Sequence, residues 1–281
     1  MKKVIDFLKV HPIITAIVAL LVAFFGTKLL RPSDGSTLST AMARIVLAST
    51  QFVFLYLISA EKTFDACTKT TGYVIKKSWE LWILPVTVAV MAVFSNISAH
   101  TEIRSVWPTE LIYTIVLCIF IGLFEEVTFR AIINDALIRK FRNTKGLFVI
   151  IAIVSSLIFG AVHVIGVDVT DMTVLIPAIL KTVSAGIAGL CYLFMYWKTR
   201  NIWACAILHG VYDFFPLVTG VLFDGSSEMF SGGAERYASA DTVGTSAAVY
   251  GIQIVATLAV AIVMWVRIIR KIDFEELRKT W

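Results

Sequence analysis

In the stretch Gly122-Leu123-Phe124-Glu125-Glu126-Val127-Thr128-Phe129-Arg130, two neighbouring carboxylates precede a guanidinium in otherwise apolar surroundings. Adjacent residues of a helix point about 100° apart, so Glu125 and Glu126 cannot perform the same task. Arg130 stands four residues after Glu126 and can reach back to it, so that one glutamate pairs with the cation while the other faces a cavity. A second group, Phe159-Gly160-Ala161-Val162-His163, sets an imidazole one turn beyond a phenyl ring. A third, His209-Gly210-Val211-Tyr212-Asp213, puts an imidazole and a carboxylate on one helix face with Gly210 leaving room beside them. Pro216 removes a helical N–H just downstream and predicts a kink. Such groups supply what amide hydrolysis requires: a base for water, a second orienting group and donors for an oxyanion. No G-x-S-x-G elbow marks a serine nucleophile and no H-E-x-x-H marks a zinc protease. Each group alone also has a plainer reading. The glutamates would suit a membrane boundary, and His163 a core imidazole bonded to a carbonyl.

The elements that must hold these residues are set by composition. Hydrophobic residues form 58% of the 281 and charged residues 16%, more apolar surface than a water-soluble globule of this size hides. Eight windows approach the ~20 apolar residues that a spanning helix needs: 12–30, 41–60, 81–98, 111–140, 146–169, 173–198, 201–223 and 242–266. Their runs are continuous, not alternating, which predicts helices and not barrel strands. The expected fold is therefore an all-α polytopic bundle, one integral-membrane domain over residues 1–281, with the chemistry between residues 122 and 213.

Eight spans put both termini on one side, and the basic residues say which. Eighteen lysines and arginines fall on the side of Lys2 and Lys3, four on the other (Lys28, Arg31, Arg104, Arg236), and Arg44, Arg130 and Lys181 inside spans. The positive-inside rule then places both termini in the cytoplasm. Trp79, Trp82, Trp107, Trp197, Trp203 and Trp265 fall near span ends, where indole prefers the headgroups. The net charge of +5 is accounted for by topology and anionic lipid, so nucleic acid is not expected as a partner. Cys67, Cys118, Cys191 and Cys205 have no C-x-x-C spacing and imply no disulfide framework. The polar stretch Glu61 to Glu80 reads as a partly amphipathic surface segment, and the Gly/Ser-rich stretch Asp224 to Asp241 as an external loop. Small residues from Ser184 to Gly189 permit close approach of a neighbouring helix.

A buried charge costs about 2.5–3.5 kcal/mol on insertion scales, so acids and imidazoles on three spans are expected to share one polar pocket. Counted along ideal helices, His163 falls nearer the outer face and His209 nearer the inner, and kinks or tilts must reconcile them.

The ordered motifs E-E-x-x-x-R, F-x-x-x-H and H-x-x-x-D resemble the CPBP (CAAX protease and bacteriocin-processing enzyme; Abi) family of intramembrane proteases, which includes type II CAAX prenyl endopeptidases. The resemblance covers about Gly122 to Asp213. It implies that Glu125 and His163 activate a water, that His209 and Asp213 steady the oxyanion, and that Glu126, Arg130 and Phe159 support the pocket. Asp213 stands where the family often has asparagine. An ionised aspartate cannot donate a hydrogen bond, so Asp213 is protonated, orients His209 or binds a metal. Zinc held by His163, His209, Asp213 and Glu125 is the cofactor this set would accept, and a metal-free route fits the same residues.

The expected substrates are peptide precursors, leader peptides or membrane-protein segments ahead of prenylated chains, in a bacterial plasma membrane. Two other readings are a non-enzymatic scaffold for a partner membrane protein and a proton-coupled transporter in which Lys181 joins a relay. Lys181 otherwise snorkels or neutralises a carboxylate such as Asp213.

Overall fold

A computed structural model describes residues 2–33, 35–58, 70–98, 102–105, 107–141, 145–165, 170, 172–223 and 240–273. Cys67, residues 61–69 of the polar segment and residues 224–239 of the Gly/Ser-rich stretch lie outside the described residues, as does Arg236.

The chain opens with α1 (Lys2–Val10) and α2 (Pro12–Leu29), continues through α3 (Thr37–Ile58) and α4 (Thr71–Lys77), and reaches α5 (Ile83–Ser98) by a single 3₁₀ turn, Trp79–Trp82. Next come α6 (Trp107–Glu126), a π-helical segment Val127–Asn134 and α7 (Asp135–Phe141), which together make one 34-residue rod from Pro108 to Phe141. The last elements are α8 (Lys145–Val162), α9 (Met172–Thr199), α10 (Ile202–Leu222) and α11 (Ala240–Arg267). Among the described residues the β pairing is a single isolated bridge between Ile103 and Phe223.

Every apolar window of the sequence coincides with one of these helices, and the protein is an all-α, multi-pass membrane protein. Among the described residues, six helices are long and apolar enough to cross a bilayer, and a seventh crossing arises if α4 and the following helix, bent by 71°, count together. The helix of the fifth window is shorter than expected: it stops at Val162 and places His163 in a turn, not in a span. The reason is local competition for a carbonyl. His163 Nδ1–H donates to Phe159 O at 2.7 Å, the acceptor its own backbone N–H would use in an α-helix. That N–H bonds Gly160 O instead, at 3.2 Å, and Val164 pairs in the same way with Ala161 O.

The bundle is built around α9, whose Tyr192, Leu193, Phe194, Met195, Tyr196 and Trp197 are all buried. Small residues bring its neighbours close. A Cβ on Gly160 of α8 would strike Thr182 O of α9, and one on Gly186 would lie 3.1 Å from Ser156 O. Contact between α6 and α10 is as tight, since a Cβ on Gly122 would strike Ala206 O and one on Gly210 would lie 2.8 Å from Cys118 O.

Two of the tryptophans near span ends have partners inside the bundle. Trp197 is 2% exposed and donates Nε1–H to Asn134 Oδ1 at 2.9 Å, while Trp203 stacks on Phe52 at 5.4 Å. A buried indole N–H needs an acceptor, and Asn134 at the end of the π segment supplies it for Trp197. Trp79, Trp82 and Trp265 are exposed.

Candidate active site

Glu125 closes the last α-helical turn of α6, and the π segment begins two residues later. A π turn inserts one residue into the helical repeat and so rotates the helix on its N-terminal side against the helix on its C-terminal side. The Asp135 N–H reaches Arg130 O, five residues back. With this change of phase the two glutamates divide their partners as their spacing predicted. Glu126 is fully buried, and its Oε2 lies 3.2 Å from Arg130 Nε. Its Oε1 accepts from His209 Nδ1 at 2.7 Å. Glu125 points the other way, with Oε2 3.8 Å from His163 Nε2 and 3.7 Å from His209 Nε2.

Three elements thus meet at one carboxylate oxygen: α6, the turn after α8, and α10. Asp213, one turn after His209, adds Oδ2 at 3.5 Å from His209 Nε2. The depth mismatch between the two histidines is resolved by two departures from ideal helices, the π segment beside Glu125 and the turn that carries His163. Pro216 lies inside α10, which continues to Leu222.

Both imidazoles are fixed through Nδ1 and show Nε2 to Glu125. A carbonyl and a carboxylate only accept, so Nδ1 carries the proton in each ring, and a neutral His163 presents a lone pair on Nε2. Burial is graded. The side chains of Glu126 and Arg130 are 0% and 3% exposed, those of Glu125 and Asp213 14% and 22%, and that of His163 23%. The cluster has a closed floor and an open side.

Phe159 belongs to the floor. Arg130 Cζ sits 4.3 Å from its ring centroid, a cation–π contact, and Phe129 and His163 meet it edge-on at 5.0 and 4.8 Å. Arg130 also donates Nη2–H to Gly189 O at 3.0 Å. Gly189 has to be a glycine, because a Cβ there would lie 2.6 Å from Phe159 Cδ1 and 3.2 Å from Arg130 Nη2.

Three contributors escaped the sequence reading. Tyr192, 1% exposed, stacks on His209 at 5.0 Å with the rings 11° apart. It lies three residues after Gly189 and so on the same face of α9, which is the signal that could have found it. The π segment has no sequence signature. Its far end is held by Asp135, which accepts from Arg200 Nη2 at 2.7 Å and from Tyr196 Oη at 3.1 Å. Lys181 Nζ lies 5.8 Å from the Tyr250 ring centroid, near enough for its charge to act on Asp213 and His163.

Among the described residues, no three His, Cys, Asp or Glu side chains are grouped so as to hold a metal ion. Of the donors expected for zinc, Glu125 Oε2 lies 3.8 and 3.7 Å from Nε2 of His163 and of His209, and Asp213 Oδ2 lies 3.5 Å from His209 Nε2.

Residues 106–215 match the family model described as type II CAAX prenyl endopeptidase Rce1-like, in agreement with the resemblance carried by the three motifs. The matched stretch contains all seven residues of the cluster. Comparison with curated proteins and with solved structures gave no match.

Proposed function

We propose that the protein is an intramembrane endopeptidase that hydrolyses peptide bonds of peptide or membrane-protein substrates with a water activated by Glu125 and oriented by His163. The observation that carries this reading is the meeting of His163 Nε2 and His209 Nε2 at Glu125 Oε2, 3.8 and 3.7 Å away. Such gaps are too long for direct hydrogen bonds and suit a bridging water.

Glu125 takes one proton from that water while its oxygen bonds to the scissile carbonyl carbon, and the lone pair on His163 Nε2 accepts the water's other hydrogen. His209, held at Nδ1 by Glu126 and flanked by Tyr192, turns Nε2 toward the oxyanion and donates to it when that nitrogen carries a proton. Asp213, 3.5 Å from the same nitrogen, orients the ring. Collapse of the tetrahedral intermediate breaks the C–N bond. The amine leaves with the proton Glu125 had taken, and the other product is a carboxylic acid.

The test is cleavage of a mixed peptide library by the purified protein in nanodiscs, read by mass spectrometry in H₂¹⁸O with and without chelator. We expect new C-termini carrying one ¹⁸O and no loss of rate with chelator. Products that vanish with chelator and return with zinc would replace the metal-free route with a zinc-dependent one. No cleavage of peptides or membrane-protein segments would return the chain to the scaffold reading.

A further inference from the structure

Where α1 gives way to α2 and α7 ends, an open surface cavity of about 490 Å³ is lined by Lys9, Val10, His11, Pro12, Ile13, Ile14, Arg139 and Lys140. Its size falls in the ~300–1,000 Å³ range of ligand sites. Three of the lining side chains are cations, a fourth is an imidazole, and none is a carboxylate.

The three segments are tied together at this point. Arg139 Nη2 donates to Lys9 O at 3.3 Å, and Thr15 Oγ1 reaches back to Leu8 O at 2.6 Å. The His11 ring packs on Phe7 at 4.2 Å. Pro12 starts α2, and His11 makes no side-chain cap. The N–H groups of Ile13 and Ile14 in the first turn of α2 therefore have no partner inside their own helix, and the positive end of that helix adds to the three cations. The ligand that matches a basic cavity with spare N–H donors is a phosphate-bearing anion.

The setting favours a lipid as its source. Lys2, Lys3, Asp6 and Lys9 lie toward one side of α1, and Val4, Phe7 and Leu8 toward the other, with Val4 61% and Phe7 47% exposed. An exposed apolar face of this kind on a short basic helix lies in the membrane interface, at headgroup depth. We propose that this cavity binds the headgroup phosphate of an anionic glycerophospholipid through Lys9, Arg139 and Lys140. It sits at the end of the same rod that carries Glu125 and Glu126.

Native mass spectrometry of the full-length protein titrated with phosphatidylglycerol, against phosphatidylcholine as control, tests this. We expect at least fivefold weaker phosphatidylglycerol binding for Lys9→Gln/Arg139→Gln/Lys140→Gln, with phosphatidylcholine unaffected. The charge-keeping variant Lys9→Arg/Arg139→Lys/Lys140→Arg should bind like the parent, as should Lys76→Gln/Lys77→Gln on α4. Lys140→Gln alone keeps the Arg139 to Lys9 bond and should weaken binding about two- to threefold even if the triple variant fails to fold. Competition by millimolar inorganic phosphate would assign the cavity to phosphate in general, and its failure to compete to the lipid. Unchanged binding in both glutamine variants at Lys140, or equal loss in the α4 control, would overturn the proposal.

Discussion

At the scale of single residues, each member of the cluster makes contacts that its neighbour does not, and the proposed mechanism gives each a separate task. Asp213 is the informative one. If it only orients His209, the neutral amide of Asp213→Asn can do so too, and cleavage should stay within about tenfold of the parent. His209→Ala removes a donor to the oxyanion and should cost about 10²–10³ in kcat. Equal losses in the two variants, measured on one peptide, would mean that the Asp213 charge itself takes part. Arg130 is a different case, because its loss leaves Glu126 buried without its cation. Breaking a buried pair from one side costs roughly 3–5 kcal/mol, so Arg130→Met should unfold far more readily than the parent in detergent thermal melts. A melting temperature unchanged by that substitution would show that the Glu126–Arg130 contact of 3.2 Å does not hold the floor together. At this scale the sequence was legible: Glu125, Glu126, Arg130, Phe159, His163, His209 and Asp213 are polar or aromatic exceptions in apolar runs, and the cost of burying them predicted that they would meet. Tyr192 was not legible, because an aromatic in a hydrophobic span looks like core until its ring is seen against His209.

At the scale of elements, positions are set by glycines and by a break in helical phase. Gly122 and Gly210 let α6 and α10 touch backbone to backbone, which is what brings Glu125 within reach of His209. A side chain at either position must push against a carbonyl oxygen that cannot rotate away. Gly122→Ala and Gly210→Ala are each expected to lose about 1–3 kcal/mol of stability by overpacking, together with a fall in cleavage. Retained stability and activity in both would refute the close approach. Trp197→Phe leaves Asn134 Oδ1 without its donor at the end of the π segment, and an unsatisfied buried group costs about 1–3 kcal/mol. The π segment itself could not be read beforehand, since eight residues of Val-Thr-Phe-Arg-Ala-Ile-Ile-Asn suit an α-helix equally well. The end of α8 was missed for a related reason: apolar residues run on past Val162, while the chain is stopped by the His163 ring taking Phe159 O.

At the scale of the whole molecule, hydropathy located every helix that could span, because a run of apolar side chains must satisfy its own backbone hydrogen bonds in lipid. It did not say which runs are long enough to cross. Among the described residues six helices qualify alone and one bent pair qualifies together, while the apolar stretch Gly146–Val162 is shorter than these. The distribution of lysine and arginine predicts that Lys3 and Ser33 face opposite sides of the membrane. Single cysteines placed there should react with an impermeant thiol reagent from opposite sides of oriented vesicles, and labelling from one side would overturn the orientation. The central claim is that this bundle exists to hold a water against Glu125. Its most direct measurement is kcat/KM of Glu125→Gln relative to the parent in nanodiscs, on a peptide the parent cleaves and with melting temperatures compared. A loss of at least ~10²-fold is expected, in the range of a lost general base, with the fold intact; a variant that cleaves within a few-fold of the parent would contradict it.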